Sequence, residues 1–443
     1  MSPKQSAVGR GGSGGDRDLV AVADIGGSKI TCLIARRPPP AAGDAPLARA
    51  PVHIIGAGHQ LSRGVRGGVV IDLELAEAAL RSAVAAAERM AGVRLRSIYV
   101  AAAFPQLQSR NFGVDVAIGG HGVTDEDLRG VLNYAADECT PVNARLVHAF
   151  PTAYSIDGGR YVSDPRGMFG ERLSVNMHIA SVAKGVLQTL EALVSRCHLT
   201  PSGFVATPFA SGLATLVRDE AQLGAIAVDM GADLTSFAIF EEGELAYCDA
   251  VPIGGRHVSA DIARGLEAPL QDAERLKTLH GSALAGAGDD RTLIDVRAVG
   301  DLARREERTM PRAALVRVIR PRVEEIFEMV RDRLRAAGAA PGRRIILTGG
   351  ASQLNGAREL AELILGRNVR LGRPISVSGL PDALSGPAFS ASAGAIDYAV
   401  YGPSVAVFGA DDAWSTGYAA AGAASGRTRK PFAEVGRWLR QNL

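Results

Sequence analysis

Two segments of this chain repeat one pattern, and the repetition limits the possible folds more than any other feature. An apolar strand, an aspartate, a glycine-containing turn and a second apolar strand occupy residues 19–34 and again residues 225–240. Glycine allows turn conformations that a side chain would block. The pattern indicates an internal duplication whose two turns face each other across a cleft.

Each copy continues as an RNase H-like α/β unit. Apolar residues at helical spacing predict a helix at 73–91 after the first hairpin. The sequence therefore predicts two RNase H-like halves around a central cleft. The other predicted elements are strands at 52–58, 97–103, 245–251 and 343–348 and helices at 259–264, 271–279 and 357–365.

The two turns contain residue types that suit phosphate binding. Gly26, Gly27 and Gly231 would let backbone N–H groups approach phosphate oxygens. Lys29 could meet a phosphate as a point charge. An ordinary hairpin with a polar turn is the alternative interpretation of either turn alone.

The aspartate before each turn is a candidate for binding Mg²⁺ through water. Magnesium that accompanies ATP keeps several waters and is held through one or two carboxylates. Asp24 and Asp229 are therefore the predicted metal residues.

A Gly-Gly turn near the C-terminal end predicts a third wall of the site. Gly349 and Gly350 would let an adenosine lie close to the backbone, and Glu274 and Lys277 share a predicted helix face that could bond its ribose or base. A solvated ion pair is the alternative for those two side chains. The predicted nucleotide-binding residues are Asp24, Gly26, Gly27, Ser28, Lys29, Asp229, Gly231, Glu274, Lys277, Thr348, Gly349 and Gly350.

Five motifs occur in a specific order, namely Asp24-Ile-Gly-Gly-Ser-Lys29, Asp229-Met-Gly231, Asp272-Ala-Glu-Arg-Leu-Lys-Thr-Leu-His-Gly281, Val318-Ile-Arg-Pro-Arg322 and Ile346-Leu-Thr-Gly-Gly-Ala-Ser-Gln-Leu-Asn-Gly356. With this order and spacing the sequence resembles the FtsA family of actin-like bacterial cell-division proteins, from about residue 18 to 400 and again at the C-terminal tip. Any single motif is shared by the whole actin, Hsp70 and sugar-kinase superfamily.

The resemblance implies an actin-like (ASKHA) fold with an inserted IC-type subdomain. It also implies ATP and Mg²⁺ in the cleft, assembly of the chain with itself into filaments, and tethering of FtsZ filaments to the inner membrane. Together with composition it predicts a disordered N-terminal extension (1–17), subdomain IA (18–96 and 181–220), IC (97–180), IIA (221–257 and 319–402), IIB (258–318), a flexible linker (403–430) and an amphipathic membrane-targeting helix (431–443).

The second turn departs from the superfamily pattern Asp-x-Gly-Gly-Gly-Thr. Ala232 and Asp233 restrict the backbone, Leu234 removes a hydroxyl, and Asp233 adds negative charge beside a phosphate site. Several kcal/mol of phosphate affinity could be lost, because one charge-assisted hydrogen bond contributes about 1.5 to 3 kcal/mol.

A second departure concerns hydrolysis. Where Hsp70-like and MreB-like proteins place a Glu-Pro dipeptide that positions the attacking water, this chain has Thr207-Pro208. We therefore expect weak or absent ATPase activity, and the only catalytic candidates are Asp24, Asp229 and Thr207.

The last residues predict a basic amphipathic helix. At 100° per residue its apolar side chains gather on one arc, and a tryptophan on that arc suits the membrane interface. Each nearby Lys or Arg adds about 1 kcal/mol on anionic lipid. The alternative is a helix docked on the protein's own core. The predicted membrane residues are Phe432, Val435, Trp438, Leu439 and Leu443.

A basic cluster precedes the Val318–Arg322 motif. FtsA-like proteins receive the FtsZ C-terminal tail on subdomain IIB, and arginines could meet its acidic residues. A solvated helix face balanced by Glu306 and Glu307 is the alternative. The candidates for binding the tail are Arg304, Arg305, Arg308 and Arg312.

Overall composition argues against nucleic acid as a partner, since the net charge is only +2 and aromatic residues are few. The expected partners are the FtsZ tail, other copies of the chain, an anionic membrane surface and, through subdomain IC, other divisome proteins. The expected location is peripheral, on the cytoplasmic face of the inner membrane at the division septum. A PilM-like scaffold and a small-molecule kinase of the same superfamily are the alternatives.

Overall fold

A computed structural model describes residues 18–37, 51–139, 141–162, 164–299, 307–339 and 342–402. The strands are β1 Leu19–Ile25, β2 Lys29–Arg36, β3 Val52–Leu61, β4 Val65–Arg66, β5 Val69–Val70, β6 Ser97–Ala102, β7 Gln108–Ala117, β8 Ala144–Ile156, β9 Arg172–Ala183, β10 Thr200–Ala206, β11 Ala225–Met230, β12 Thr235–Glu241, β13 Glu244–Val251, β14 Leu293–Arg297, β15 Glu307–Pro311, β16 Arg344–Thr348, β17 Val369–Leu371 and β18 Val377–Ser378. The α-helices are α1 Leu73–Ala91, α2 Asp125–Cys139, α3 Lys184–Arg196, α4 Thr207–Thr215, α5 Arg218–Leu223, α6 Gly255–Gly265, α7 Leu270–His280, α8 Arg312–Ala336, α9 Ala357–Leu365 and α10 Ser390–Tyr401.

Two mixed sheets share one topology. In the first, with order β10-β6-β1-β2-β3-β18, the antiparallel strands β1, β2 and β3 are joined by β6, which runs parallel to β1. In the second, with order β13-β12-β11-β16-β17, the antiparallel strands β11, β12 and β13 are joined by β16, which runs parallel to β11. The predicted duplication is therefore present in the chain's topology.

The two sheets are joined through a pair of crossing helices. Helix α4 packs on β11 and β12, helix α10 packs on β1 and β2, and the two helices contact each other. Their approach is close, because a Cβ at Gly394 would lie 1.6 Å from the carbonyl oxygen of Ala210. Since real Cβ atoms never come so near a backbone oxygen, position 394 of this crossing requires glycine.

A small unit lies between β6 and α3 in the chain. Its three antiparallel strands, in the order β7-β9-β8, pack with α2 around a hydrophobic cluster of their own. Helices α6, α7 and α8 and the β14–β15 hairpin pack against the second sheet. Among the described residues, no helix combines the length and the apolar character needed to cross a membrane.

Most predicted elements agree with the structure, and α1 coincides with the predicted helix at 73–91. Asp72 caps this helix, since its Oδ1 accepts the N–H groups of Glu74 and Leu75 at 3.0 Å.

The prediction of a helix at 259–264 was wrong at its start, because α6 begins at Gly255. The N–H of Gly255 donates to the Gly231 carbonyl at 3.0 Å, so contact with the second turn extends the helix by about one turn. The 25-residue α8, which contains Pro321, was not predicted.

Candidate functional site: the cleft between the two sheets

The turns that follow β1 and β11 share one backbone geometry. The N–H of Gly26 donates to the Lys29 carbonyl at 3.1 Å, and the N–H of Gly231 donates to the Leu234 carbonyl at 2.9 Å. This correspondence aligns Gly27 with Ala232, Ser28 with Asp233 and Lys29 with Leu234. A cavity lies between the two sheets. The residues of β1, the first turn and the start of β2 that line this cavity are Asp24, Ile25, Gly26, Gly27, Ser28 and Lys29.

Both turns line a cavity of about 100 Å³, together with Gly349 and Gly350. Small-molecule sites usually enclose about 300 to 1,000 Å³, so the cleft is closed in this structure. A larger open groove of about 620 Å³ lies between β7 and α2, but it contains no turn that directs several backbone N–H groups at one point. The phosphate-binding features predicted from the sequence therefore converge on the smaller cavity.

Two buried carboxylates lie at the base of this cavity. Ser392 donates to Asp24 Oδ2 at 2.7 Å, and Ser211 donates to Asp229 Oδ2. Burial raises the pKa of Asp24, although the Lys29 charge and the Ser392 hydrogen bond oppose the shift. Burial, opposed by the Ser211 hydrogen bond and reinforced by the charge of Asp24, raises the pKa of Asp229 to about 6.

This carboxylate pair fits a hydrated divalent cation. The charge of Asp24 makes ionisation of Asp229 less favourable, so a nearby positive charge would stabilise the ionised pair. Each has one oxygen that accepts a serine hydroxyl. Within the described part of the chain no cluster of three or more His, Cys, Asp or Glu is placed to hold a metal ion.

The Gly-Gly turn after β16 forms a third wall. Gly349 has φ +88°, and a Cβ there would lie 2.2 Å from Asp229 Oδ1 and 2.6 Å from the Met230 carbonyl oxygen. Glycine is therefore required for the backbone to lie this close to the second turn. Thr348 lies behind the wall, where its hydroxyl contacts Ser390 Oγ at 2.7 Å and not the cavity.

Lys29 projects across the cavity toward the segment before α10. Its Nζ donates to the Ala388 carbonyl at 2.5 Å and lies 4.6 Å from the centre of the Phe389 ring. The lysine is thus held at the cavity wall, with its charge close enough to stabilise the ionised form of Asp24.

Glu274 and Lys277 do not line the cavity, but they adjoin the start of α6. The Nζ of Lys277 donates to the Gly255 carbonyl at 3.0 Å, to Ser259 Oγ at 2.8 Å and to Glu274 Oε2 at 2.8 Å. A Cβ at Gly255 would lie 2.9 Å from Ala351 Cβ. The pair therefore lies beside the Gly349–Gly350 wall, where the sequence prediction placed an adenosine.

One cross-cleft interaction was not predicted. Asp233, from the second turn, accepts the Gly67 N–H at 3.0 Å and pairs with Arg256 Nε at 2.9 Å. Arg256 also donates to the carbonyl of Gly27 on the first turn. The sequence signal available was the acid in the second turn, which departs from the superfamily pattern, and an arginine directly after Gly254-Gly255. We call this arrangement of Asp233, Arg256, Gly27 and Gly67 the clasp.

The remaining predicted residues occupy different places. Thr207 is buried and lines the cavity, but a hydroxyl in this position supplies no carboxylate base. Arg308 is 42% exposed and donates to the Leu266 carbonyl, while Arg312 is 22% exposed and pairs with Asp289. Arg304, Arg305 and the tail residues Phe432, Val435, Trp438, Leu439 and Leu443 lie outside the described residues.

Two halves of matching topology around a closed cleft, with a small inserted unit, define an actin-like α/β protein. Solved structures confirm the predicted fold: PilM in a PilM-PilN type IV pilus biogenesis complex has 17% identity and a TM-score of 0.59, covering 86% of this chain and 98% of that chain. MreB5 of Spiroplasma citri bound to ADP has 11% identity and a TM-score of 0.51, covering 86% of this chain and 96% of that chain.

Sequence comparisons identify the family. The model described as cell division protein FtsA matches residues 226–394, and the model of the SHS2 domain inserted in FtsA matches residues 105–181. The cell division protein FtsA of Rhizobium meliloti is 44% identical over 96% of this chain and 95% of its own length. The corresponding values for Pseudomonas aeruginosa are 34%, 96% and 98%, and for Escherichia coli K12 they are 30%, 86% and 90%. The chain belongs to the FtsA family of actin-like cell division proteins.

Proposed function

We propose that this chain is an ATP-binding cell division protein that assembles with itself on the cytoplasmic face of the inner membrane at the septum, where it tethers FtsZ filaments. Membership of the FtsA family supports the division role over the pilus-scaffold and kinase alternatives. The observation that carries the nucleotide part is the convergence of the first glycine turn, two buried aspartates and the Gly349–Gly350 wall on one cavity.

ATP would bind with its phosphates on the first turn and its adenosine beside Gly349, Gly350, Glu274 and Lys277. The actin-like MreB5 structure was solved with ADP, which supports the same use of the cleft here. Because the cavity is only about 100 Å³, the two halves would have to separate before a whole nucleotide could enter. Mg²⁺, held through water by Asp24 and Asp229, would neutralise phosphate charge.

Equilibrium titration with a fluorescent (mant) ATP analogue tests nucleotide binding. We expect Lys29→Met to weaken binding at least about tenfold, the equivalent of about 1.4 kcal/mol, because it removes the positive charge that the first turn itself carries. Lys184→Met is the matched control, since Lys184 is exposed at the start of α3 and does not line the cavity. Equal affinity in the wild type and Lys29→Met would contradict the proposed site.

We propose that turnover is slow or absent. Thr207 supplies a hydroxyl where a water-positioning carboxylate would be needed, and both cavity aspartates are engaged by serine hydroxyls. Steady hydrolysis should stay far below the ~1 to 1,000 per second typical of enzymes. A phosphate-release assay with the purified chain checks this, and rates within that range would refute it.

FtsZ tethering is proposed through the surface around Arg308, with Arg304, Arg305 and Arg312 as the other candidates. Arg308 is the more exposed of the two described arginines and lies at the second strand of the β14–β15 hairpin. Arg308→Glu should weaken binding of a synthetic FtsZ C-terminal tail at least about fivefold, about 1 kcal/mol. Arg89→Glu on α1 is a charge-matched control, and equal losses in both variants would refute a local site.

Membrane attachment is proposed through the C-terminal segment with Phe432, Val435, Trp438, Leu439 and Leu443. A basic amphipathic helix with an interfacial tryptophan binds anionic lipid surfaces. Trp438→Glu should abolish co-sedimentation with anionic liposomes, whereas Trp438→Phe should retain most of it.

The inserted unit is proposed to contact other divisome proteins, in keeping with the subdomain boundaries predicted from the sequence.

A further inference from the structure

The clasp joins the two halves of the molecule at the place where phosphate binding is proposed. Asp233 and Arg256 belong to the second half, whereas Gly27 and Gly67 belong to the first. Asp233 is only 6% exposed, so its carboxylate is almost fully removed from solvent. Both of its oxygens have a partner, one in each half of the molecule.

The space that Asp233 occupies depends on glycine in the facing turn. A Cβ on Gly27 would lie 2.0 Å from Asp233 Oδ2, well inside any real contact distance. The carboxylate therefore rests directly against the backbone of the first turn. In a phosphate-binding turn this is the face that glycine leaves open for an anion.

The donors around Asp233 are of the kind that a terminal phosphate takes. A backbone N–H from Gly67 and a guanidinium from Arg256 both point at its oxygens, and guanidinium groups bind carboxylates and phosphates with the same geometry. The N–H groups that begin α6 are already used: Gly255 donates to the Gly231 carbonyl and Arg256 donates to the Ala232 carbonyl at 2.7 Å. Few donors in this corner of the cavity are left for a second anion.

We propose that Asp233 acts as a built-in substitute for the terminal phosphate, and that its bond to Gly67, together with the bond of its partner Arg256 to Gly27, holds the cleft closed without nucleotide. The part of this proposal that concerns nucleotides rests on the proposed function. Its consequence is a loss of preference for ATP over ADP, because an extra phosphate would compete with a carboxylate for the same donors and would meet like charge. Asp233 is thus a specificity-determining residue.

The first test compares affinities for mant-ATP and mant-ADP, each with Mg²⁺, in the wild type, Asp233→Gly and Asp233→Asn. The wild type should bind ATP no more tightly than ADP. Asp233→Gly, which removes the substitute anion, should raise the ATP preference at least about tenfold, and Asp233→Asn should raise it less. Asp115→Asn on the inserted unit is the control for loss of one acidic charge, and its preference should match the wild type.

The second test measures hydrogen exchange of the segment that contains Gly67 in nucleotide-free protein. The Gly67 amide should be protected in the wild type and should exchange at least about tenfold faster in Asp233→Gly and Arg256→Met, because each change removes the clasp. If Asp233→Gly does not fold, Asp233→Asn, which keeps the side chain's size, replaces it in the first test, and Arg256→Met alone serves in the second, because an Asn oxygen could still accept the Gly67 N–H.

The two readouts separate the two proposals. Absence of nucleotide binding in every variant would refute the proposed nucleotide site, and the exchange of Gly67 would still decide whether the clasp closes the cleft. An unchanged ATP preference in both Asp233 variants would overturn the substitution of carboxylate for phosphate. If the Gly67 amide exchanged at the wild-type rate in these variants, the proposal that the clasp holds the cleft closed would be overturned.

Discussion

The turn after β1 and the turn after β11 have the same hydrogen-bonded geometry but carry side chains of opposite charge, Lys29 in the first and Asp233 in the second. In the first, Gly26, Gly27 and Ser28 line the cavity with small residues and Lys29 adds a positive charge. In the second, the positions that correspond to Gly27 and Ser28 are Ala232 and Asp233, and the latter fills the space in front of Gly27.

Within a duplication, the residues that maintain the fold can therefore be kept while the residues that would bind a ligand diverge. The aspartate, the first glycine and the helix serine are kept in both halves, as Asp24 with Ser392 and Asp229 with Ser211 show. These residues position the strands and the crossing helices, so both copies need them. The phosphate-facing residues carry no such structural role in the second copy, and there the chain uses a side chain of its own to bridge the cleft.

The greatest loss of stability is expected from changes in α4 and α10, the two helices behind the turns. Gly394→Ala should cost at least about 3 kcal/mol of unfolding free energy, because its Cβ would lie 1.6 Å from the immobile Ala210 carbonyl oxygen. Gly212→Ala, in the other helix, should cost only about 1 to 2 kcal/mol, because it meets the Phe240 ring at 2.3 Å and a ring can shift. Urea unfolding measures both values.

Gly185→Ala in α3 is the control for the Gly394 and Gly212 comparison. A Cβ there would have no neighbour within 4 Å, so the change should stabilise the protein by roughly 0.4 to 1 kcal/mol. Equal losses for Gly394→Ala and Gly212→Ala would show that the two halves respond alike and that the rigidity of the neighbour does not matter.

The next effect concerns the first turn itself. Gly27→Ala should cost about 2 kcal/mol, because the new methyl group would displace the buried Asp233 carboxylate from its partners. Combining it with Asp233→Gly should restore part of that loss. The coupling free energy from a double-mutant cycle measures this rescue. Strictly additive losses would mean that Gly27 and Asp233 are not in contact in solution.

Removal of the serine donors should have a smaller and pH-dependent effect. Ser211→Ala should cost about 1.5 kcal/mol at pH 7.5, because ionised Asp229 loses a buried hydrogen bond and its pKa rises further above about 6. A carboxyl whose folded pKa exceeds its unfolded value binds more protons when folded, so stability is regained as pH falls toward the unfolded pKa.

The loss for Ser211→Ala should therefore be smaller at pH 5.5 than at pH 7.5 in urea unfolding experiments. Ser392→Ala should behave in the same direction through Asp24, whose pKa is also raised by burial. Ser385→Ala is the control, since Ser385 is exposed and its hydroxyl donates to the Asp382 carbonyl rather than to a buried carboxylate. A loss that is independent of pH would argue against a titrating carboxylate at either position.

Local patterns in the sequence predicted the elements that local forces determine. The helix at 73–91 was predicted from apolar spacing and is capped by Asp72, and the paired hairpins follow from alternating apolar strands around glycine. Both are interactions between residues close in sequence. The sequence also predicted that Asp233 would disturb the second turn, because an acid beside a phosphate site is unfavourable whatever surrounds it.

The partners of Asp233 could not be predicted in the same way. Gly67 lies 166 residues away in the chain and meets Asp233 across the cleft between the two halves. The early start of α6 has a similar cause, because the Gly255 and Arg256 amides find carbonyls on the second turn that no helix pattern contains. Contacts between distant parts of the chain, rather than local helix propensity, determine these two features.

The smallest change in stability is expected in the second turn, at Ala232. Ala232→Gly should destabilise the protein by only about 0.4 to 1 kcal/mol, mainly by increasing the entropy of the unfolded chain, because Ala232 does not have the positive φ at which glycine would relieve strain. It should leave the affinity for mant-ATP unchanged, since Asp233 still faces Gly27. Ala232→Gly combined with Asp233→Gly should bind mant-ATP as tightly as Asp233→Gly alone. If Ala232→Gly alone raised ATP affinity as much as the double change, backbone restriction rather than the carboxylate would separate the second turn from the first.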